Sequence, residues 1–291
     1  MFKFVSNSNR GAKNDLSDVC LSAKQTRNPF SLSENKAKNC FDLIHYGMEG
    51  PYHVKSFSGV QYFLTILDDA SQRVWVYLMT NKREALKLLI DFCAMVNMQF
   101  DANVKTIMSD NGAEFTSNPM RKFYREKGIS HETSYIDTPQ QNGRVERKHR
   151  HILNVARALR FRAHLPLDFW GECVLTTTYL INRTPYAVLQ WKTPYEILFQ
   201  VQPSYDQMRM CWPLCYISNL QRPKHKFASK SHKCVFIGYP FGKNRWKLYD
   251  LETGDIFVSQ DVIFHEDMFP FSIQATQKDT MMNFGRQIMF I

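Results

Sequence analysis

Two carboxylates in this chain sit where chemistry could be done. Asp110 closes the strand-like run VKTIMSD (104–110) inside SDNGAEF, and Glu146 opens a basic helical stretch inside TPQQNGRVERKHR, with thirty-five residues between them. Singly, each has an ordinary explanation. Asp-Asn-Gly is a turn signal, and a Glu four residues before Arg150 is a surface ion pair. The combination is more specific: one carboxylate at a strand end and another on a helix behind a Gly-containing loop, a residue type suited to binding hard cations or moving protons.

The elements that must position this pair can be read from the pattern on either side of it. Runs at 41–49, 60–68 and 73–80 are rich in β-branched and aromatic residues and are joined by short connections, which predicts an antiparallel meander. Ala85, Leu88, Leu89, Phe92 and Val96 recur at helical spacing and predict a helix over 82–98. Further strands are expected at 104–110 and 129–135, and helices at 118–128, 141–162 and 167–182. The order is that of an α/β domain with a mixed sheet. From 211 the texture changes to short strands (PLCYIS, KCVFIGY, RWKLYDL and DIFVSQDVIF) with a Thr-Gly turn in LETGD, which predicts a small all-β barrel. The expected divisions are a lead-in over 1–40, the α/β core over 41–200, the β domain over 211–271 and a disordered tail over 274–291.

Composition bounds the partners. In 291 residues, 37 Lys and Arg against 27 Asp and Glu leave a net charge of +10, and the apolar fraction of 44% excludes a disordered or collagen-like chain. The charge is concentrated. Seven basic residues stand against Glu146 alone over 144–162, and eight stand against no acid over 222–247, a distribution suited to phosphate contact. No apolar stretch approaches the roughly 18 residues of a membrane span, and no secretory signal is evident, so a soluble, intracellular chain of nucleus or cytoplasm is expected. The seven cysteines form no framework. Cys211 and Cys215 in CWPLC lack a second ligand pair, and buried apolar thiols are the expectation.

The ordered stretches VCLSAKQTRNPF, FDLIHYGMEGPY, LTILDDASQRVWVY, SDNGAEF, TPQQNGRVERKHR, INRTPY, KTPYEILF and KCVFIGYP…KLYDLETGDIFVSQDVIFHED resemble the integrase of copia-type long-terminal-repeat retrotransposons over about 18–271. The resemblance implies a ribonuclease-H-like five-stranded mixed sheet with flanking helices, followed by an SH3-like β domain. It also implies 3′-end processing and strand transfer of double-stranded DNA by two-metal phosphoryl transfer, in which three carboxylates hold Mg²⁺ or Mn²⁺, and action as a multimer. Asp110 and Glu146 match the second and third ligands. Gln140, Gln141, Asn142, Arg144, Arg147, Lys148, Arg150 and Arg157 are the expected DNA contacts, and about six such cations would give a log–log salt slope near −5.

The sequence departs from the family where it matters most. The Asp expected after Ile-His-x on the first strand is Gly47. Asp42 has the wrong parity, Glu49 lies about 6.6 Å further along the strand, and Asp68 or Asp69 belongs to a separate motif. The zinc module of the family is also incomplete: Ser17 stands where a first Cys belongs and Cys20 is an orphan, so no zinc is expected. A catalytically impaired integrase-like protein is the leading expectation. The alternatives are a non-enzymatic nucleic-acid-binding or chromatin-binding module recruited by a host, and a ribonuclease-H-type nuclease.

Overall fold

The structure, a computed structural model, describes residues 37–133, 143–218, 229, 231–242 and 245–272. The lead-in up to residue 36, the tail from 273, and Gln140, Gln141 and Asn142 lie outside the described residues, as does Cys20, where a zinc-module remnant is expected.

The expected meander is present as β1 (Leu43–Glu49), β2 (Tyr62–Asp68) and β3 (Val74–Met79), each antiparallel to the next. Two further strands, β4 (Thr106–Ser109) and β5 (Ser130–Thr133), add in parallel beside β1, giving a mixed five-stranded sheet of order β3-β2-β1-β4-β5. Strand parity divides the side chains between two faces. Ile44, Tyr46, Leu64 and Ile66 face one side, where α1 (Glu84–Phe100) lays down Leu89, Phe92 and Val96. Tyr46 fixes the register of that helix, donating its hydroxyl to the Ala85 carbonyl at 2.6 Å. Two short helices, α2 (Ala113–Thr116) and α3 (Asn118–Lys127), complete the same layer through Phe115, Met120, Phe123 and Tyr124.

On the other face, Phe63, Leu67 and Val74 meet α4 (Gly143–Arg162) and α5 (Trp170–Ile181). Helix α4 buries Val145, His149, Ile152 and Ala156, one stripe at i, i+4, i+7 and i+11. Helix α5 is buried almost all round because a second sheet lies on its far side. That sheet comprises β6 (Leu214–Ser218), β7 (Ser231–Gly238), β8 (Trp246–Asp250), β9 (Ile256–Ser259) and β10 (Val262–His265), all antiparallel in the order β10-β6-β7-β8-β9. The run DIFVSQDVIF, expected as one strand, is two: β9 pairs with β8 and β10 pairs with β6, so a two-residue break sends the chain to the opposite edge.

The β sheet is bolted to the core. Lys247 Nζ reaches both oxygens of the buried Glu172 on α5, at 2.7 and 2.8 Å. Thr176 Oγ1 donates to the Ile237 carbonyl at 3.2 Å. Gly238 follows at φ +139°, where a Cβ would stand only 2.5 Å from Thr176 Oγ1. Only glycine permits that approach. Tyr239 stacks on Tyr179 of α5 with ring centroids 3.8 Å apart.

Two motifs have structural work. Asn182, in INRTPY, mimics a strand: its side chain accepts from Val74 N–H at 2.9 Å and donates to Val74 C=O at 2.7 Å, capping the start of edge strand β3. In KTPYEILF, Thr193 and Glu196 form a reciprocal capping box that starts α6 (Pro194–Phe199).

Candidate active site

The site lies where β1 and β4 run out beneath the first turns of α4. Tyr46 pairs with Ser109 in the parallel register, so Gly47 and Asp110 are the next residues along adjacent strands. Asp110 is exposed, and its Oδ1 accepts from Gly112 N–H at 2.9 Å, which shapes the Asp-Asn-Gly turn. Glu114, a carboxylate that sequence reasoning passed over although it stands four residues on in SDNGAEF, comes to the other side of Gly112. A Cβ on Gly112 would be 2.9 Å from Asp110 Oδ1 and 3.0 Å from Glu114 Oε2. Lys82 Nζ holds Glu114 at 2.9 Å, and this hydrogen bond raises the Lys82 pKa. Glu146 is exposed in the first turn of α4.

The position of the expected first carboxylate is filled by apolar carbon. Helix α4 lies so close over β1 that a Cβ built on Gly47 runs into Val145 Cγ1 and stands 3.3 Å from His149 Cε1. His149 is buried, with Nδ1 3.4 Å from Glu49 Oε2 and Nε2 without a hydrogen-bond partner. Glu49 therefore faces a histidine on α4.

Nor are Asp68 and Asp69 free to substitute. Asp68 accepts from Phe41 N–H at 2.7 Å, Ser71 N–H at 2.8 Å and Ser71 Oγ at 2.5 Å, and burial raises its pKa. Asp69, fully buried, takes the Ala37 N–H at 2.8 Å, sits 3.0 Å from His45 Nε2 and is ion-paired with Arg144. The LDDASQ motif thus folds the β2–β3 turn and anchors the first turn of α4. Among the described residues no three His, Cys, Asp or Glu side chains converge as a metal site. The described residues do not fit a centre in which three carboxylates share two divalent ions.

The expected DNA-contacting cations divide into two groups. Arg144 is turned inward to Asp69. Lys148 packs against Tyr186, 5.0 Å above the ring, and burial lowers its pKa to about 8. Arg147, Arg150 and Arg157 remain exposed and, at i, i+3 and i+10, follow one stripe of α4. Arg157 is steadied by Asn154 Oδ1 at 3.1 Å. In the β domain, Lys247 of the second basic segment is committed to Glu172. The thiols of Cys173, Cys211, Cys215 and Cys234 are buried, as expected, and burial drives the Cys211 pKa up to about 12.

Comparison with known proteins agrees with this architecture. Residues 37–139 match the integrase core domain, and 213–278 match the retroviral polymerase SH3-like domain. The chain is 35% identical over 251 residues to the retrovirus-related Pol polyprotein from transposon TNT 1-94 of Nicotiana tabacum, covering 86% of this chain and 19% of that protein. It is 32% identical over 253 residues to the corresponding polyprotein from transposon RE1 of Arabidopsis thaliana, covering 87% of this chain and 17% of that protein. The chain thus spans about a fifth of the length of these relatives. Among solved structures, the simian T-cell lymphotropic virus intasome, determined in complex with PP2A regulatory subunit B56 gamma, superposes with a TM-score of 0.51 at 14% identity, over 84% of this chain and 85% of that one. The core thus matches the integrase core domain, the β domain matches the retroviral polymerase SH3-like domain, and over most of its length the chain is similar to retrovirus-related transposon Pol polyproteins.

Proposed function

We propose that this segment, with a core over 41–200 and a β domain over 211–271, binds double-stranded DNA in the manner of an integrase but is severely impaired in strand transfer. The observation that carries the impairment is the packing of Val145 against Gly47, which leaves no donor and no space at the first ligand position. Asp110 and Glu146 remain as the second and third ligand positions. If the lost interaction is worth several kcal/mol in the transition state, the rate falls by about a thousandfold or more.

The exposed row Arg147, Arg150 and Arg157 supports DNA binding without catalysis. Such cations contact phosphates and read little sequence. The test is retardation of a short duplex over a range of salt concentrations, beside Mg²⁺- or Mn²⁺-dependent joining of a duplex end to plasmid. Three phosphate contacts from α4 give a log–log slope of about −3. Binding with that dependence and without joining supports the proposal; no binding at low salt, or efficient joining, overturns it. A non-enzymatic nucleic-acid-binding role is the second reading, favoured by the same Gly47–Val145 contact.

A further inference from the structure

Three motifs that contribute nothing to the carboxylate site, RVWVY, INRTPY and KTPYEILF, meet at the edge of β3. There they bring two arginines to one aromatic ring. The Arg73 guanidinium carbon lies 5.6 Å from the Tyr195 ring centroid and that of Arg183 lies 4.9 Å from the same point. Other rings fix each group in a plane: Phe199 and Trp75 at 4.9 and 5.4 Å from Arg73, and Tyr179 at 3.5 Å from Arg183. The Tyr179 ring is in turn stacked on Tyr239 of the β domain, so the platform is braced from both sheets.

What the pair lacks is an anion. Neither arginine forms an ion pair with any carboxylate among the described residues. Arg73 Nε and Nη1 are buried without a hydrogen-bond partner, and Arg183 uses one nitrogen on the Tyr179 carbonyl at 3.3 Å. Arg183 and Tyr195 act electrostatically on Arg73, and Tyr179, Tyr195, Tyr205 and Tyr239 on Arg183. Burial, with Arg183 as the second cause, lowers the Arg73 pKa to about 10, so it stays cationic at neutral pH. Stacking satisfies the faces of a guanidinium but leaves its in-plane N–H groups wanting acceptors, and buried donors without acceptors cost free energy. Half-buried and gathered at the same Tyr195 ring, these two forks match an oxyanion with several acceptor oxygens.

We propose that Arg73 and Arg183 form a phosphate-binding site, separate from the carboxylate site and independent of the reading given to it. The phosphate is either a backbone group of bound nucleic acid or a free phosphate. The net charge of +10 favours a polyanion as its source.

The test uses the whole chain. Inorganic phosphate is titrated and followed by ³¹P line broadening and calorimetry, with glutamate as a carboxylate control. Wild type is expected to bind phosphate at least about tenfold more tightly than Arg73→Gln/Arg183→Gln, with the Lys pair intermediate because it keeps charge but loses the fork. Phosphate should also protect Arg73 and Arg183 of the wild type from an arginine-specific dicarbonyl reagent, mapped by mass spectrometry; this readout needs no variant to fold. A short duplex separates the sources. A salt slope shallower by about 2 in the double variant assigns the phosphate to nucleic acid, and an unchanged slope with phosphate binding lost assigns it to a free ligand. Absence of both phosphate binding and protection in the wild type, or equal binding of glutamate, overturns the proposal.

Discussion

Gly47 and Val145 compete for one volume: the Cβ that any other residue would place on β1 falls on the γ-methyl of the valine immediately before Glu146. The bare position at Gly47 is therefore a packing state and not merely a missing side chain. Helix α4 has settled onto the strand.

That relationship sets the first expectation. Gly47→Ala overpacks a tight contact and should cost about 1–3 kcal/mol, read as a lowered urea midpoint at constant slope. In a Val145→Ala background the same change should cost less by more than about 0.5 kcal/mol, the coupling expected of residues in contact. Equal costs in the two backgrounds would show that the residues do not share that volume.

Asn182 should be among the most sensitive polar positions outside the site. Replacing it by Ala leaves the Val74 N–H and C=O unpaired in a buried setting, at about 1–3 kcal/mol for each group. Denaturant unfolding checks it, and a loss below about 0.5 kcal/mol would mean that the edge of β3 finds other partners.

The clamp between the two sheets offers a third. Lys247→Met strands Glu172 beneath the β domain, and uncompensated buried charges cost about 3–5 kcal/mol; the partial exposure of Lys247 places this loss at the lower end. Adding Glu172→Gln should recover part of it. A single Lys247 change that leaves the thermal midpoint untouched would contradict a docked β domain.

Acid should loosen the fold through histidines. Burial lowers the pKa values of His131 and His151; His131 Nε2 lies 2.9 Å from Ser109 Oγ at the end of β4. A folded-state pKa below the unfolded value means that the unfolded chain takes up the proton first. Stability from these groups is complete above about pH 6.5 and declines as pH falls below it. A His131→Gln variant should show a flatter stability profile between pH 7 and 5, and an unchanged profile would assign that slope elsewhere.

Much of this was legible in the sequence because it is periodic. The meander, α1 and α3 follow from alternation or helical spacing, as does the expected stripe Val145, Ile152, Ala156 and Leu159, of which Leu159 is only half-buried. What escaped is what periodicity does not encode. Arg144 was read as a DNA contact because it is cationic and follows the Gly-containing loop, yet its partner Asp69 stands on the far side of the core sequence and the pairing exists only once β2 lies under α4. The ring over which Lys148 lies was equally hidden, since Tyr186 reaches it from beyond α5. Helix α6 was missed although Thr193 and Glu196 print its capping box. The split of DIFVSQDVIF turns on Gln260 and Asp261, a break too short to interrupt an apolar pattern. The resemblance singled out Gly47 but said nothing of how close α4 would come.

The most direct test of the account is single-turnover joining of a duplex end to plasmid DNA with Mg²⁺ or Mn²⁺, comparing wild type, Gly47→Asp, and Gly47→Asp with Val145→Ala. The account predicts no joined product from wild type, little from Gly47→Asp because Val145 occupies the space its carboxylate needs, and measurable product only when both changes are combined. Joining by the wild type at a rate matching the doubly substituted chain would contradict it.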